Sequence, residues 1–473
     1  MFIKNSSTLL IKELPEVQLK LRQIGLQAIS KAISSVKPQK LMKKSIRILE
    51  NKLFVENDEY DLQKFNRVFI IGGGKATAEM ALALENILSN ARDITYEGII
   101  NIPQKTEKLD IYEKSKLSIN YASHPIPNES GLKGTSKMME IIEKSDKNDL
   151  IICLISGGGS VLLPLPKKGM TLKDLQEVNS LLLSSGASIN EINTIRKHLS
   201  DFKGGNLAKK LYDSSGATLI CLIISDVVGD DLDVIASGPT VPDKTTFKDA
   251  FEIIEKYNLK KNLPISVTEH LKKGLSDKFL ENPKPDDLCF TNVHNYLIGS
   301  VESAIQEVKL FLSKEGFEIY YFSNNIIGEA REFGKYLFDI ITQNIQKVQN
   351  QREHKKIALI GTGELTVSIR GKGIGGRNQE MLLSFLKNIK NQKPNYDFLI
   401  IGANLDGIEG NSKAMGALID NYAMNQMISK NIDLEHYLIT NDSNSFFKKL
   451  KTEIITGPTG CNVNDLILIL ILI

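Results

Sequence analysis

The sequence predicts an α/β protein built as two α/β domains, with mainly parallel sheets covered by helices. Three observations lead there. At 473 residues the chain is longer than one ordinary hydrophobic core accommodates. Short β-branched runs alternate with longer helical stretches, the rhythm of βαβ units. The runs are also too apolar to keep a wet face, as expected of strands covered on both sides.

Taken in order, "RVFII" (67–71) is a strand that leads through a glycine turn into a helix from about Ala76. "LIICLI" (150–155) is a second strand with its own glycine-rich turn, and "TLICLII" (218–224) a third, followed by "SDVVGDDLD". The lysine-rich "HLKKGLSDKFLENPKPDD" (270–287) reads as a surface connection, so the domains are expected at 1–285 and 286–473. Beyond it, "NYLIGSVESAIQEVKLFLSKEGFEIYYF" restarts as strand, helix, strand. "KIALIGTGEL", "GGRNQEMLLSFLKNI" and "DFLIIGANLDG" continue a second α/β unit. The closing "LILILILI" is far short of the roughly twenty residues of a membrane helix and reads as a strand buried on both faces.

Composition is that of a globular protein, 42% hydrophobic and 24% charged, with a net charge of +3. No basic block is interleaved with aromatics, so neither nucleic acid nor membrane is an expected partner. The four cysteines (Cys153, Cys221, Cys289, Cys461) form no CxxC pair, and two of them sit in apolar runs as small buried hydrophobes. The opening "MFIKNSSTLLIKELPEV" has no sustained apolar core of a signal peptide, and a cytoplasmic protein is expected. Only nine of the 59 basic residues are arginine, which singles out Arg196 and Arg377, both close to motif-like sequence, as positions where a planar charged fork matters.

The candidates for chemistry follow predicted strands, where open α/β sheets bind ligands. "FIIGGGKATAEMALAL" (69–84) is neither a P-loop nor a dinucleotide fingerprint. Ala76 follows Lys75 where the first needs Ser or Thr, and Thr77 replaces the third glycine of the second. What remains is strand, glycine turn, lysine and helix start, which suits an anion. "LISGGGSVLLPLP" (154–166) repeats the device with Ser156 and Ser160 around the glycines. "GASINEINTIRKHLSDFKGGNLAKKL" (186–211) carries Asn193, Arg196 and Lys197 at helical spacing, with Lys203 before a glycine pair as a further anion contact. His198 in the same stretch is expected to be a hydrogen-bonded packing residue. Asp226, at a strand end, and Asp231 suit Mg²⁺ beside phosphate, and Asp226 alternatively suits a proton acceptor. "GKGIGGRNQEML" (371–382) places Arg377 at a helix head, ready for a bidentate grip on phosphoryl oxygens. Together these describe phosphoryl transfer better than hydride transfer.

The motifs "GGGKATAEMA", "SHPIPNESG", "LISGGGSVLL", "EINTIRKHLSDFKGGNLA", "SDVVGDDLDVIASGPTVPD", "GGRNQEM" and "TGPTGCNVNDL" stand in the order found in class II glycerate kinases. The chain resembles that family, the glycerate 2-kinases with a C-terminal MOFRL domain, over roughly residues 15–470. The resemblance implies a Rossmann-like N-terminal domain (1–285), a MOFRL domain (286–473) and an active site in the cleft between them. It also implies ATP- and Mg²⁺-dependent phosphorylation of D-glycerate on its 2-hydroxyl, by a monomer or homodimer. Lys75, Asp226 and Arg377 match the family's functional lysine, acid and arginine, the two cations converging on the transferring phosphoryl group. Binding of nucleotide or substrate would fall to Gly73, Gly74, His124, Ser156, Gly157, Gly158, Gly159, Ser160, Asn193, Arg196, Lys203, Glu364 and Asp406, and metal to Asp226 and Asp231. The family's T-D-G-x-D-G-P-T-D run is altered in "LDGIEGNSKAMGA" (405–417), which has Leu405, Glu409, Asn411 and Lys413 at four of its positions. The alternatives are an NAD(P)H-dependent hydroxypyruvate reductase and a non-catalytic sugar-phosphate or nucleotide-binding protein.

Overall fold

The three strands expected at 67–71, 150–155 and 218–224 lie in one sheet of the computed structural model, which describes residues 2–91, 94–104, 115–349, 355–392 and 394–473. The chain divides into two compact units. One is Pro38–Ile298, and the other joins Met1–Lys37 to Gly299–Ile473.

In the first unit a small antiparallel meander, β1 (Ile46–Leu49), β2 (Lys52–Val55) and β3 (Asp58–Asp61), precedes the main sheet. The sheet consists of β4 (Arg67–Gly73), β5 (Tyr96–Pro103), β6 (Ser118–Ala122), β7 (Asp149–Ser156), β8 (Thr218–Ile224) and β9 (Val293–Gly299), in the order β6-β5-β4-β7-β8-β9. The pairs from β6 through β8 are parallel. All eight residues of β7 are buried, so this central strand has no wet face. Cys153 and Cys221 are register partners in β7 and β8, buried and reduced. The order of strands reverses between β4 and β7, where such sheets open a crevice beyond their carboxyl ends.

A helical layer adds the helices Leu172–Ser185, Ile189–His198, Phe247–Lys256 and Ile265–Gly274. The first three begin with reciprocal capping boxes (Thr171/Asp174, Ser188/Glu191, Thr246/Asp249). Their core contains Val178, Leu182, Ile192, Ile195, Phe247 and Leu271. The 270–287 stretch is part of this unit, not a connection out of it. His198 Nε2 lies 2.9 Å from Glu281 Oε1, and buried Asn282 bridges Asn206 and Asp243. With Nδ1 on the Thr194 carbonyl at 2.7 Å, His198 has both ring nitrogens engaged and is a packing residue.

The second unit has strands β10 (Glu318–Glu329), β11 (Lys356–Thr366), β12 (Asp397–Asn404), β13 (Gly416–Asp420), β14 (Glu453–Ile454) and β15 (Asp465–Leu472), in the order β10-β11-β15-β12-β13-β14. Among the described residues β10 and β11 pair in parallel and the other neighbours run antiparallel, so this sheet is mixed rather than mainly parallel. The "LILILILI" run forms central β15, buried on both faces as expected. The helix Glu16–Ser35 sits on this sheet so closely that a Cβ on Gly25 would come within 2.5 Å of Leu399 Cδ2. Buried Arg22 bonds Asp420 with Nε and Nη2 at 2.7 and 3.1 Å, and Nη1 donates to the Leu9 carbonyl. Residues 1–37 thus group with the C-terminal part of the chain, unlike the division expected at 285/286.

Candidate active site

The two glycine turns of the first unit meet at the switch point between β4 and β7. The Lys75 N–H donates to the Gly157 carbonyl at 2.9 Å, and the Ala76 N–H to Ser156 Oγ at 3.0 Å. Gly74 has φ +154°, and a Cβ there would stand 2.1 Å from Ser156 Oγ, so the close approach requires glycine. Gly158 has φ +82°; a Cβ on it would meet Lys75 Cγ at 3.2 Å and His124 Nε2 at 3.3 Å. The structure therefore brings Gly73, Gly74, Lys75, His124, Ser156, Gly157, Gly158 and Gly159 to one place. Lys75 is exposed, and among the described residues its ammonium pairs with no carboxylate. Surrounding protein and that ammonium hold the His124 pKa below its ordinary 6.5, which keeps the imidazole neutral. Asn128 orients the His124 loop by accepting the N–H groups of Ser123 and Gly131.

One side of this centre adjoins a cavity of about 50 Å³ bounded by Ser160, Asn179, Arg196, Leu199 and Lys203. Arg196 Nε donates to Asn179 Oδ1 at 3.1 Å, and Nη2 bonds the same oxygen. Lys203 Nζ donates to the Leu163 carbonyl at 2.5 Å. Among the described residues neither cation has a carboxylate partner. Burial, then the neighbouring Arg196 charge, pushes Lys203 down to about 7. Lys197 points elsewhere, to Asp233 and Asp243 at 3.2 and 2.7 Å, and is a structural ion pair. Asn193 reaches the centre indirectly: Ser237 Oγ donates to Asn193 Oδ1 at 3.1 Å and lies 2.9 Å from Ser160 Oγ.

Asp226 follows β8 and is half-buried; Asp231 is exposed, its Oδ1 3.5 Å from the Asp233 N–H. With neighbouring strands about 4.8 Å apart, the end of β8 lies about 10 Å from that of β4, a span a phosphate chain can bridge. No group of three or more metal-ligating side chains occurs among the described residues. A larger groove of about 810 Å³, lined by Tyr212, Phe247 and Phe279 among others, contains none of the predicted site residues.

In the second unit, Arg377 begins the helix Arg377–Ile389 as expected, but its fork is already occupied. Nε and Nη2 hold buried Asp465 at 2.6 and 2.8 Å, and Nη1 holds exposed Glu364 at 2.5 Å. These carboxylates overcome burial and raise the arginine pKa further. Arg377 is thus a fixed guanidinium whose bidentate edge is committed to protein. Asp406 accepts the Val463 N–H at 3.1 Å and its carbonyl accepts the Thr459 N–H. The altered 405–417 loop braces this region. Glu409 accepts the N–H and side-chain amide groups of both Asn378 and Gln379, and Asn411 bonds the backbone of Gly373 and Gly375. A cavity of about 420 Å³ with walls from Leu365, Val367 and Ile369 lies beside Arg377.

Two contributors escaped the sequence reading. Asn101, in the apolar strand β5, donates to the Gly131 and Leu162 carbonyls, and its own carbonyl accepts the Gly74 N–H at 3.3 Å. A polar residue inside "GIINIP" was the available signal. Ser237 follows Ala236 in a left-handed run, φ +58° after +51°, strain of the kind held at functional sites. Small residues in "IASGP" gave no comparable warning.

The chain matches a domain of unknown function (DUF4147) over residues 25–272 and the MOFRL family over 357–465. It is 36% identical to a glycerate 2-kinase of Pyrococcus horikoshii, covering 96% of this chain and 98% of that protein. A putative hydroxypyruvate reductase of Agrobacterium vitis is 36% identical over 86% of this chain and 87% of its own length. The crystal structure of a glycerate kinase from Thermotoga maritima superposes with a TM-score of 0.78 at 34% identity, covering 96% of this chain and 99% of that one.

Proposed function

The chain belongs to the family of glycerate 2-kinases with a MOFRL domain, and from that membership we propose that it transfers the γ-phosphoryl group of ATP to the 2-hydroxyl of D-glycerate, giving 2-phosphoglycerate and ADP. One observation carries the proposal: Lys75 and His124 meet at Gly158, at the switch point of the sheet. The Lys75 ammonium there, which pairs with no carboxylate among the described residues, can neutralise charge on a migrating phosphoryl group. As the bond from the glycerate oxygen to phosphorus forms and the bond to the bridging oxygen of ADP breaks, the hydroxyl proton passes to neutral His124.

Asp226 and Asp231 would hold Mg²⁺ together with phosphate oxygens. Mg²⁺ typically takes one or two carboxylates plus substrate oxygens and needs no all-protein cage, a role these two acids would fill. When bound, the ion neutralises charge on the phosphate chain. Arg377, the family's functional arginine, would reach a nucleotide oxygen through Nη1 by exchanging exposed Glu364 for it. The chemistry needs no membrane, and among the described residues no helix is long and apolar enough to cross one. Reduced, buried cysteines suit a cytoplasmic enzyme.

The test is ADP release on adding D-glycerate, with product identity read by enolase in the absence of a mutase. Enolase turnover is the expected result. Absence of ADP release, or NADH oxidation by hydroxypyruvate without ATP, overturns the proposal. The reductase alternative lacks support at Thr77, which fills the place of the third fingerprint glycine and lies 3.3 Å from Ser156 Oγ inside the turn.

A further inference from the structure

We propose that the Arg196–Lys203 cavity seats the carboxylate of the acceptor substrate and so makes the site selective for 2-hydroxy acids. The assignment rests on the kinase chemistry above and adds which end of the acceptor goes where. Two basic side chains line one cavity, and among the described residues no carboxylate answers them. Arg196 spends Nε and Nη2 on Asn179, and among the described residues its Nη1 is uncommitted. Lys203 is only 4% exposed. A lysine this buried and without an acid gives up its proton readily, and a bound carboxylate, by supplying the counter-charge, favours its ammonium form beside the Arg196 guanidinium.

One water needs about 10–15 Å³ on the same measure, so a cavity of about 50 Å³ has room for a carboxylate. Val178, Leu199 and Pro164 make part of the wall apolar, and Ser160, Asn179 and Ser200 supply its neutral polar groups. Ser160 lines the cavity and stands two residues from Gly158, where Lys75 and His124 meet. In a 2-hydroxy acid the hydroxyl is on the carbon bonded to the carboxylate. An anchored carboxylate therefore presents the 2-hydroxyl to the phosphoryl group ahead of the 3-hydroxyl.

Steady-state kinetics of Lys203→Met and Arg196→Gln test the assignment. KM for D-glycerate should rise about 10- to 100-fold, the scale of a lost charged hydrogen bond, with KM for ATP unchanged. Preference for D-glycerate over glycerol, which has the hydroxyls without the charge, should fall in parallel. An unchanged glycerate KM, or a rise in the ATP KM instead, overturns the assignment. Calorimetry with D-glycerate and no nucleotide separates it from the kinase proposal. If the native protein binds D-glycerate and Lys203→Met does not, the cavity assignment stands even where no turnover is seen. If both bind equally, it falls.

Discussion

Replacing Lys203 by methionine also has a consequence for stability that can be worked out in advance. In the folded protein burial and Arg196 lower the lysine from its ordinary 10.5 to about 7. As pH falls below 10.5 the unfolded chain takes up a proton that the folded chain refuses until about 7. Stability is therefore lost on descending that window and is flat below it. The cost is about 4 kcal/mol at pH 7.5 and about 1 kcal/mol at pH 9.5. Methionine cannot titrate, so the variant lacks this slope. It does strand the Leu163 carbonyl, at about 1–3 kcal/mol, but that loss is the same at both pH values. The native protein should thus gain about 2–3 kcal/mol on the variant between pH 7.5 and 9.5. Urea unfolding followed by circular dichroism measures it, the chain having no tryptophan to report by fluorescence. A stability difference that does not change with pH would show that Lys203 carries its charge in the folded state, and the reasoning would fail.

Lys75→Ala should lower kcat at least about a hundredfold in an ADP-release assay, since one cation on a transferring phosphoryl group contributes on the order of 10³ or more. The melting temperature should stay put because the side chain is exposed. With His124 as proton acceptor and its pKa held below 6.5, kcat/KM should be constant near neutrality and fall as pH drops through that lowered value. The acidic limb should vanish in His124→Gln. Arg377→Ala should lose activity and about 3–5 kcal/mol of stability together, because it leaves buried Asp465 unpaired. Denaturant midpoints of that variant and of Arg377→Lys, which keeps the charge and loses the fork, separate the two effects. Arg22→Ala should cost a similar amount by stranding Asp420, and should expose residues 1–37 to limited proteolysis.

Local features were legible in the sequence; the identity of distant partners was not. β4, β7 and β8 are apolar runs bounded by glycine or aspartate, and the Lys75 turn announces itself by three glycines ahead of a helix. Resemblance to a family then joined the turns into one enzyme. The local sequence does not say which sheet receives the helix Glu16–Ser35; Gln18 with Asp397 and Arg22 with Asp420 join them across 379 and 398 residues. The apolar "LILILILI" run marks a buried strand without its direction, so a mixed sheet was expected to be mainly parallel. Arg377 could be placed at a helix head, yet nothing local reveals that Asp465 and Glu364 claim its nitrogens. For Arg196 and Lys203 the sequence supplied two cations, and only the fold shows that they share a cavity without an acid.

The attachment of residues 1–37 to the far end of the chain has a bearing on how the protein is made. At about 5–20 residues per second, a ribosome that has just emitted Arg22 needs on the order of 20–80 s to emit Asp420. During that interval Leu21, Ile24, Leu26, Ile29 and Ile33 have no sheet to cover them, while Pro38–Ile298 already contains every strand of its own core. Nascent chains should accordingly fold from the middle outward, with the leading helix as the segment most exposed to chaperones until synthesis is nearly complete.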